Sequence, residues 1–143
     1  MRFLLDINVL IALIDPAHVQ HDKAHAWFAA KGKKAWATCP ITENGVLRIA
    51  GHPKYPNSPG SPAAVAGLLA ALLELPGHDF WPDDVSMFDR KCVNTERLLD
   101  SAHLTDSYLL ALARTHKGQL ATLDRRLVTD AVIQGQQTLH LIP

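Results

Sequence analysis

The chain has 143 residues, and its 14 Lys and Arg residues balance its 14 Asp and Glu residues, so the formal net charge is zero. This balance argues against a surface coated in positive charge for non-specific binding to nucleic acid, although it allows a local basic rim. The apolar fraction of 48% is too high for a disordered chain, and the length suits a single domain over residues 1–143.

Short strands and helices alternate along the chain. Apolar runs of a few residues that end at turn signals predict buried strands, and apolar residues at helical spacing predict the helices. In chain order we predict a strand at Phe3–Leu5, a helix at Val9–Ile14, a helix between His18 and Gly32, a strand at Ala35–Thr38, a helix at Pro40–Ile49, a loop at His52–Pro62, a helix at Pro62–Leu75, a strand at His78–Pro82, a short helix around Asn94–Asp100, a helix at Leu104–Lys117, a strand at Gln119–Leu123, a helix at Arg125–Ile133 and a strand at Thr138–Ile142.

This alternation predicts an α/β fold with a central parallel sheet of about four to five short strands flanked by helices.

The side chains of two predicted helices indicate what each helix contacts. The predicted helix Pro62–Leu75 has almost no polar face, so it is either fully buried or half of an interface. The helix after His18 places His18, His21 and His25 on one stripe. We interpret this as a surface or interface stripe rather than a metal site, because no acidic or thiol ligand completes it.

The cysteines and the apolar runs indicate the cell compartment in which the protein is expected. Cys39 and Cys92 lack metal-ligand spacing and fit reduced thiols better than a disulfide framework. The run Ala63–Leu75 has 13 residues, short of the roughly 20 that a membrane-spanning helix needs. No signal peptide is visible, because Asp6 and Asn8 interrupt the first apolar segment. We therefore expect a cytoplasmic protein without membrane contact.

Four acids stand at the starts of predicted helices. Asp6 and Asp124 each end a predicted strand and precede a helix, whereas Glu43 and Asp106 lie in first helical turns. Free N–H groups and the helix dipole favour ionised carboxylates at such positions. Because parallel strands with crossover helices place their carboxyl ends at one edge of the sheet, the four acids are expected to converge. Four independent helix-start acids are the alternative interpretation.

A converged set of four carboxylates needs a cation to stay ionised. Hard oxygen ligands favour magnesium or manganese over zinc, and such a site suits phosphodiester hydrolysis. No glycine-rich phosphate loop and no cysteine or serine nucleophile constellation competes for the role.

Four segments resemble the motifs of a known family. Leu4–Leu10, Thr42–Arg48, Leu104–Ala111 and Ala121–Leu127 are similar, in this order, to the four motifs of the PIN-domain ribonucleases. The chain length and the region Phe80–Asp84 resemble the VapC toxins of bacterial VapBC toxin–antitoxin modules. The resemblance covers essentially the whole chain.

The resemblance implies a PIN-like three-layer fold and a magnesium- or manganese-dependent endoribonuclease toxin of a type II toxin–antitoxin system, which cuts RNA to inhibit translation. It also implies a homodimer that is held inactive by a cognate VapB-type antitoxin, through which alone operator DNA is bound. It does not select among transfer, ribosomal and messenger RNA.

Residue by residue, the resemblance implies an acidic catalytic site at Asp6, Glu43, Asp106 and Asp124. Asp6, Asp106 and Asp124 are the implied metal ligands, Asp6 and Asp106 foremost. Asn8 and Thr122 match polar positions that support the acids. Leu127 departs from the family, where many members have an aromatic residue, and this affects packing more than chemistry.

Three arginines extend the hypothesis beyond the motifs. Arg48 lies about a turn and a half after Glu43 and is a candidate contact for substrate phosphate, with a solvated side chain as the alternative. Arg125 and Arg126 follow Asp124 directly and are candidates for a basic rim.

Two other functions compete with the nuclease. A phosphatase of the haloacid-dehalogenase type needs a second Asp two residues after the first, and Asn8 occupies that place. A PIN-fold module that binds RNA or protein without activity would be marked by lost acids, and all four are present.

Overall fold

The computed structural model describes residues 1–143 and contains one sheet of five short parallel strands. The strands are β1 (Phe3–Leu5), β2 (Trp36–Thr38), β3 (His78–Phe80), β4 (Gln119–Thr122) and β5 (Leu139–Leu141), in the spatial order β3-β2-β1-β4-β5. The helices are α1 (Ile7–Ile14), α2 (His21–Ala30), α3 (Pro40–Ala50), α4 (Pro62–Leu73), α5 (Leu104–Thr115) and α6 (Gly135–Thr138). The predicted parallel α/β sheet is therefore confirmed.

The central strand β1 separates two hydrophobic cores. Successive side chains of a strand point to opposite faces of the sheet. Phe3 and Leu5 pack into a core with residues of α1, α2, α3 and α4, while Leu4 packs into a second core built mainly on α5. All three residues of β1 are buried. Burial on both faces explains why this strand is a continuous apolar run.

Strand register brings the carboxyl ends of β1 and β4 together. Leu5 lies opposite Ala121 in the parallel pairing of the two strands, and the backbone N–H of Asp6 donates to the Ala121 carbonyl at 2.9 Å. Asp6 follows Leu5 directly after β1, and Thr122 follows Ala121 as the last residue of β4. The polar side chains at the carboxyl ends of these two strands therefore share one edge of the sheet.

The predicted helix Arg125–Ile133 is wrong. This segment forms turns, and Val132 makes an isolated antiparallel bridge with Val93. Around this bridge the backbone N–H of Asn94 donates to the Ala131 carbonyl at 2.8 Å, and the N–H of Ile133 donates to the Cys92 carbonyl at 2.9 Å. These backbone groups are therefore not available for hydrogen bonds within a helix. Helical structure appears only afterwards, in α6.

Other boundaries also differ from the prediction. The expected helix at Asn94–Asp100 is a single 3-10 turn over Thr95–Arg97. Helix α1 begins at Ile7, two residues early, because the Asp6 side chain caps it. Cys39 and Cys92 are free and buried. None of the helices combines the length and the apolar character needed to cross a lipid bilayer.

Candidate metal-dependent nuclease site

Asp6 lies at the junction of β1 and α1 and is only 5% exposed. Its Oδ1 accepts a 2.7 Å hydrogen bond from the backbone N–H of Ile7, the first residue of α1. Its Oδ2 accepts a 2.7 Å hydrogen bond from the hydroxyl of Thr122 at the end of β4. The strand-to-helix turn therefore fixes the carboxylate in one orientation.

Thr122 is the centre of the hydrogen bonds around Asp6. While its hydroxyl donates to Asp6, its oxygen accepts from Asn8 Nδ2 at 3.2 Å and from the backbone N–H of Asp124 at 3.1 Å. Asn8 Oδ1 in turn accepts from the backbone N–H of Leu123 at 3.2 Å. Asn8 and Thr122 thus lie beside the acids, as the motifs predict, and join the starts of α1 and of the turn after β4.

Asp106 stands in the first turn of α5 and lines the same cleft as Asp6 and Asp124. Burial, followed by the negative charges of Asp6 and Asp124, raises the pKa of Asp106 to about 6, against an opposing effect of His103. Burial also raises the pKa of Asp6, and the charge of Asp124 adds to this rise, while hydrogen bonds from Thr122 and Ile7 oppose it. The negative charge of Asp124 therefore acts on both Asp6 and Asp106, and that of Asp6 acts on Asp106, which places the three carboxylates near one another.

The cleft that these acids line is open and has a volume of about 410 Å³. The acidic part of its lining, which we call the acidic end, consists of the three neighbouring aspartates, and the rest of the lining is polar, apolar, aromatic or cationic. The lining residues are Asp6, Ile7, Asn8, Ile11, His18, Arg48, Ile49, Tyr55, Thr105, Asp106 and Asp124.

The acidic end suits a hard divalent cation better than a soft one. No group of three or more His, Cys, Asp or Glu side chains is arranged tightly enough to form a complete protein cage for a metal ion. Magnesium does not require such a cage, because it keeps several waters and is held by one or two carboxylates together with substrate phosphate. Burial raises the pKa of both Asp6 and Asp106, and the negative charge of Asp124 adds to each rise, so the site holds negative charge that a cation would relieve. The donor set therefore fits magnesium or manganese.

Glu43 does not join the three aspartates in the lining of the cleft. It lies in the first turn of α3, as predicted, but its Oε2 accepts a 2.8 Å hydrogen bond from the buried hydroxyl of Thr38 at the end of β2. The same hydroxyl lies 2.8 Å from Nε2 of His78, so it accepts from the imidazole while it donates to Glu43. Glu43 thus lies at the end of a chain of hydrogen bonds that begins on β3.

The candidate basic residues occupy different places. Arg48 lines the cleft. Arg125 and Arg126 are exposed beside Asp124 but do not line it, and the backbone N–H of Arg126 donates to Asp124 Oδ1 at 2.9 Å. Leu127 is buried in the core built on α5, so its departure from the motif concerns packing.

The histidine stripe divides into two parts. His21 Nδ1 donates to the carbonyl of Ala12 at 2.7 Å, and His25 Nε2 donates to the carbonyl of Leu13 at 3.0 Å. Both carbonyls belong to the last turn of α1, where helical carbonyls lack intrahelical partners. His18 instead lines the acidic cleft. Two of the three histidines are therefore explained by helix packing.

His18 and Tyr55 line the cleft, although neither is predicted as a site residue from the sequence. The histidine periodicity grouped His18 with its neighbours on α2, although it lies in the turn before that helix. Tyr55 lies in a proline-rich loop whose path no periodicity encodes. Its hydroxyl donates to Asp15, 40 residues away in the sequence, and this contact brings the loop to the cleft.

A family model described as the PIN domain matches residues 3–129. Ribonuclease VapC44 of Mycobacterium tuberculosis is 44% identical over 141 residues, which cover 99% of this chain and 98% of that protein. The crystal structure of Mycobacterium tuberculosis VapC20, a sarcin-ricin loop cleaving toxin, is similar with a TM-score of 0.64 and 12% identity, covering 92% of this chain and 97% of that one. VapBC2 from Rickettsia felis, crystallised with a DNA fragment from their promoter, is similar with a TM-score of 0.58 and 12% identity over 100% of both chains. The two crystal structures support the fold.

Proposed function

Since the chain belongs to the PIN-domain family and is a ribonuclease toxin of the VapC type, we propose that it cuts RNA with a bound magnesium or manganese ion. One observation carries the choice of a metal-dependent reaction. Asp6, Asp106 and Asp124 line a single cleft, and the charges of Asp6 and Asp124 raise the pKa of Asp106 on top of the effect of burial. A cation bound between these carboxylates would offset their repulsion.

Asp6 and Asp106 would hold the ion, with Asp124 as the third carboxylate. When bound, the ion would polarise the phosphate and lower the pKa of a nearby water. Thr122 and Asn8 keep the Asp6 carboxylate and the turn after β4 in place through the hydrogen bonds described above. These fixed oxygens reduce the reorganisation that metal and substrate binding would otherwise require.

Glu43 has a different role from the three aspartates. Glu43 lies outside the lining of the cleft, where Thr38 binds its Oε2, so it is not placed to bind the ion directly. We propose that it accepts the proton of the attacking water through one intervening water molecule. Arg48 contacts a phosphate of the substrate, since it lines the same cleft. Arg125 and Arg126 form a basic rim beside Asp124, where exposed arginines attract the RNA backbone.

We further propose that the chain forms a homodimer and is held inactive by a VapB-type antitoxin, through which alone operator DNA is bound. Helix α4 supports the proposal of an interface. It buries only Val65 and Leu69, while Leu68 is 47% exposed and Leu75, just beyond the helix, is 44% exposed. An apolar helix with this much exposed leucine is typical of a surface that another chain covers.

The competing functions lack support in the site. The phosphatase reaction needs a second carboxylate where Asn8 donates its amide to Thr122. A binding module without activity has no use for three carboxylates in one cleft, two of which have a raised pKa.

Cleavage of total bacterial RNA tests the proposed function. Antitoxin-free wild-type protein and Asp6→Asn are incubated with the RNA in magnesium, in manganese and in EDTA. Discrete fragments that require the metal and are absent with Asp6→Asn would support a metal-dependent nuclease, and sequencing of their ends would identify the target. Intact RNA under all conditions, with folded protein, would exclude it.

A further inference from the structure

The lining of the cleft contains a second chemical environment besides the acids. Its wall there consists of Ile11, His18, Arg48, Ile49 and Tyr55, which we call the Tyr55 wall. This wall combines apolar surface, an aromatic ring and two side chains that donate hydrogen bonds. Metal binding and proton transfer at the acidic end do not require an aromatic ring or isoleucines, so the wall calls for a separate explanation.

A single buried carboxylate organises the Tyr55 wall. Asp15 Oδ2 accepts a hydrogen bond of 2.5 Å from the Tyr55 hydroxyl and one of 3.0 Å from Asn57 Nδ2, while Oδ1 accepts from the backbone N–H of Ala17 at 3.0 Å. Although burial opposes it, these hydrogen bonds and the nearby His18 lower the pKa of Asp15. Asp15 therefore joins the end of α1, the turn that carries His18 and the loop that carries Tyr55.

The same contacts orient both rings of the wall. The hydroxyl of Tyr55 is used by Asp15, which leaves the ring as the part that lines the cleft. Nδ1 of His18 accepts a hydrogen bond of 3.0 Å from the backbone N–H of Gln20. A neutral imidazole with Nδ1 as acceptor carries its proton on Nε2, at the other edge of the ring. In this tautomer Nε2 of His18 is a donor without a protein partner, whereas His21 uses Nδ1 and His25 uses Nε2 to bind carbonyls of α1.

We propose that the Tyr55 wall is a subsite for one nucleotide of single-stranded RNA next to the scissile phosphate. The base stacks on the ring of Tyr55 and contacts Ile11 and Ile49, and His18 and Arg48 bind the adjoining phosphate. The inference rests on the proposed nuclease function and names the form of substrate for the same cleft.

The composition of the wall selects unpaired RNA. Proteins recognise single-stranded RNA by stacking exposed bases on aromatic side chains, and every base offers a face for such a contact. Bases within a duplex are already stacked on their neighbours, so a duplex leaves the aromatic and apolar part of the wall unused. A cleft of about 410 Å³ also falls within the roughly 300–1,000 Å³ of typical small-ligand sites.

RNA binding measured apart from cleavage tests the subsite. The probe is a short fluorescein-labelled single-stranded RNA of random sequence, titrated by fluorescence polarisation against full-length protein that carries Asp106→Asn to prevent cleavage. We expect Tyr55→Ala to weaken binding roughly tenfold or more, as for the loss of one stacked base, and Tyr55→Phe to lose only a small part of this. We expect His18→Ala to weaken binding as well.

His52→Ala is the matched control. His52 is exposed and outside the cleft, and its Nδ1 accepts from the backbone N–H of Lys54 at 3.0 Å, the same local contact that His18 makes. Its substitution is expected to leave RNA binding unchanged. Circular dichroism of each variant confirms that the comparison is between folded proteins.

An unlabelled RNA duplex should compete more weakly than the unlabelled single strand.

Steady-state cleavage in the background without Asp106→Asn gives the second measurement. Tyr55→Ala is expected to raise KM much more than it lowers kcat, because the wall binds substrate and does not touch the reacting atoms. Equal binding by wild-type, Tyr55→Ala and His18→Ala proteins would overturn the subsite even if RNA is cleaved. Absence of cleavage together with binding that depends on Tyr55 would instead overturn the nuclease and leave the RNA subsite supported.

Discussion

The hydroxyl of Thr122 donates a 2.7 Å hydrogen bond to the carboxylate of Asp6, 116 residues away in the sequence. This contact joins the carboxyl ends of the two neighbouring strands β1 and β4. Both side chains are buried, at 0% exposure for Thr122 and 5% for Asp6. Burial makes the hydrogen bond important, because neither side chain has water to replace a lost partner.

Replacement of this hydroxyl should destabilise the fold. Thr122→Val keeps the shape of the side chain but removes its hydroxyl. The Asp6 carboxylate then loses a donor, and the Asn8 amide and the Asp124 backbone N–H lose their acceptor. We expect the free energy of unfolding to fall by about 1–3 kcal/mol, measured by urea denaturation. Thr122→Ser retains the hydroxyl and serves as the matched control. Equal stability of the Val variant and the wild type would show that the hydrogen bond does not hold the two strands.

Local chemistry explains which parts of the site the sequence predicts. Asp6 is recognisable because one residue both ends a buried strand and caps the following helix, so the signal lies within a few positions. Asp106 is recognisable for a similar reason in the first turn of α5. The parallel sheet then determines that the strand ends lie at one edge, which is a rule of topology rather than of individual contacts.

The rest of the site depends on contacts between distant residues. Tyr55 reaches the cleft because Asp15 binds its hydroxyl, and Glu43 binds Thr38 and does not line the cleft with the three aspartates. The wrong helix at Arg125–Ile133 has the same origin, because the backbone of that segment pairs with residues around Val93. Hydrophobic periodicity carries no information about such pairings.

Asp106→Asn should stabilise the metal-free protein at neutral and alkaline pH. The pKa of Asp106 rises from 3.8 in the unfolded chain to about 6 in the fold, so the folded state retains the proton longer. The wild type therefore loses stability as the pH rises through the window from 3.8 to about 6, while an asparagine has no proton to lose. In EDTA we expect a higher Tm for the variant at about pH 8, and a difference that disappears as the pH falls through this window.

The control for this comparison is Asp130→Asn. Asp130 is an exposed carboxylate outside the cleft. Its replacement should leave the dependence of Tm on pH close to that of the wild type. A Tm gain for Asp106→Asn that is as large at low pH as at high pH would contradict the raised pKa as its cause.

Magnesium should stabilise the wild-type protein through the same carboxylates. An ion that binds only the folded state adds about 2.7 kcal/mol at a concentration of 100 times its Kd. We expect this gain to diminish below pH 6, because protons compete for Asp106, and to be largely lost in Asp6→Asn. Differential scanning calorimetry with and without magnesium measures it. Glu74→Gln, which removes an exposed carboxylate at the end of α4, should keep the full gain.

Thr38→Val should lower kcat without raising KM. The Thr38 hydroxyl orients the Glu43 carboxylate, and the valine cannot donate the 2.8 Å hydrogen bond to Oε2. Glu43 is the general base in the proposed reaction, and a general base typically contributes 10²–10⁴-fold to rate, so we expect a loss in kcat of at least about tenfold from its misorientation. Steady-state cleavage of an RNA substrate measures both constants. Thr38→Ser should restore most of the rate, and a rise in KM alone would assign Thr38 to substrate binding.

Gly45→Ala should disturb the packing of α3 against α1 beside the site. A Cβ at Gly45 would lie 2.3 Å from Cδ1 and 2.9 Å from Cγ1 of Ile7, the residue that follows Asp6. Ile7 is β-branched and lies in a helix, so its side chain has few alternative rotamers. We therefore expect a loss of about 1–3 kcal/mol in unfolding free energy and a loss of RNA cleavage.

Gly67→Ala is the matched substitution in α4, where a Cβ meets nothing within 4 Å. Here the helix should gain about 0.5–1 kcal/mol, because alanine has less backbone entropy to lose than glycine. Urea denaturation of both variants separates the two effects, since helix propensity changes equally in each. An equal gain for Gly45→Ala would show that Ile7 moves away at no cost and that close packing of the two helices does not determine the position of Asp6.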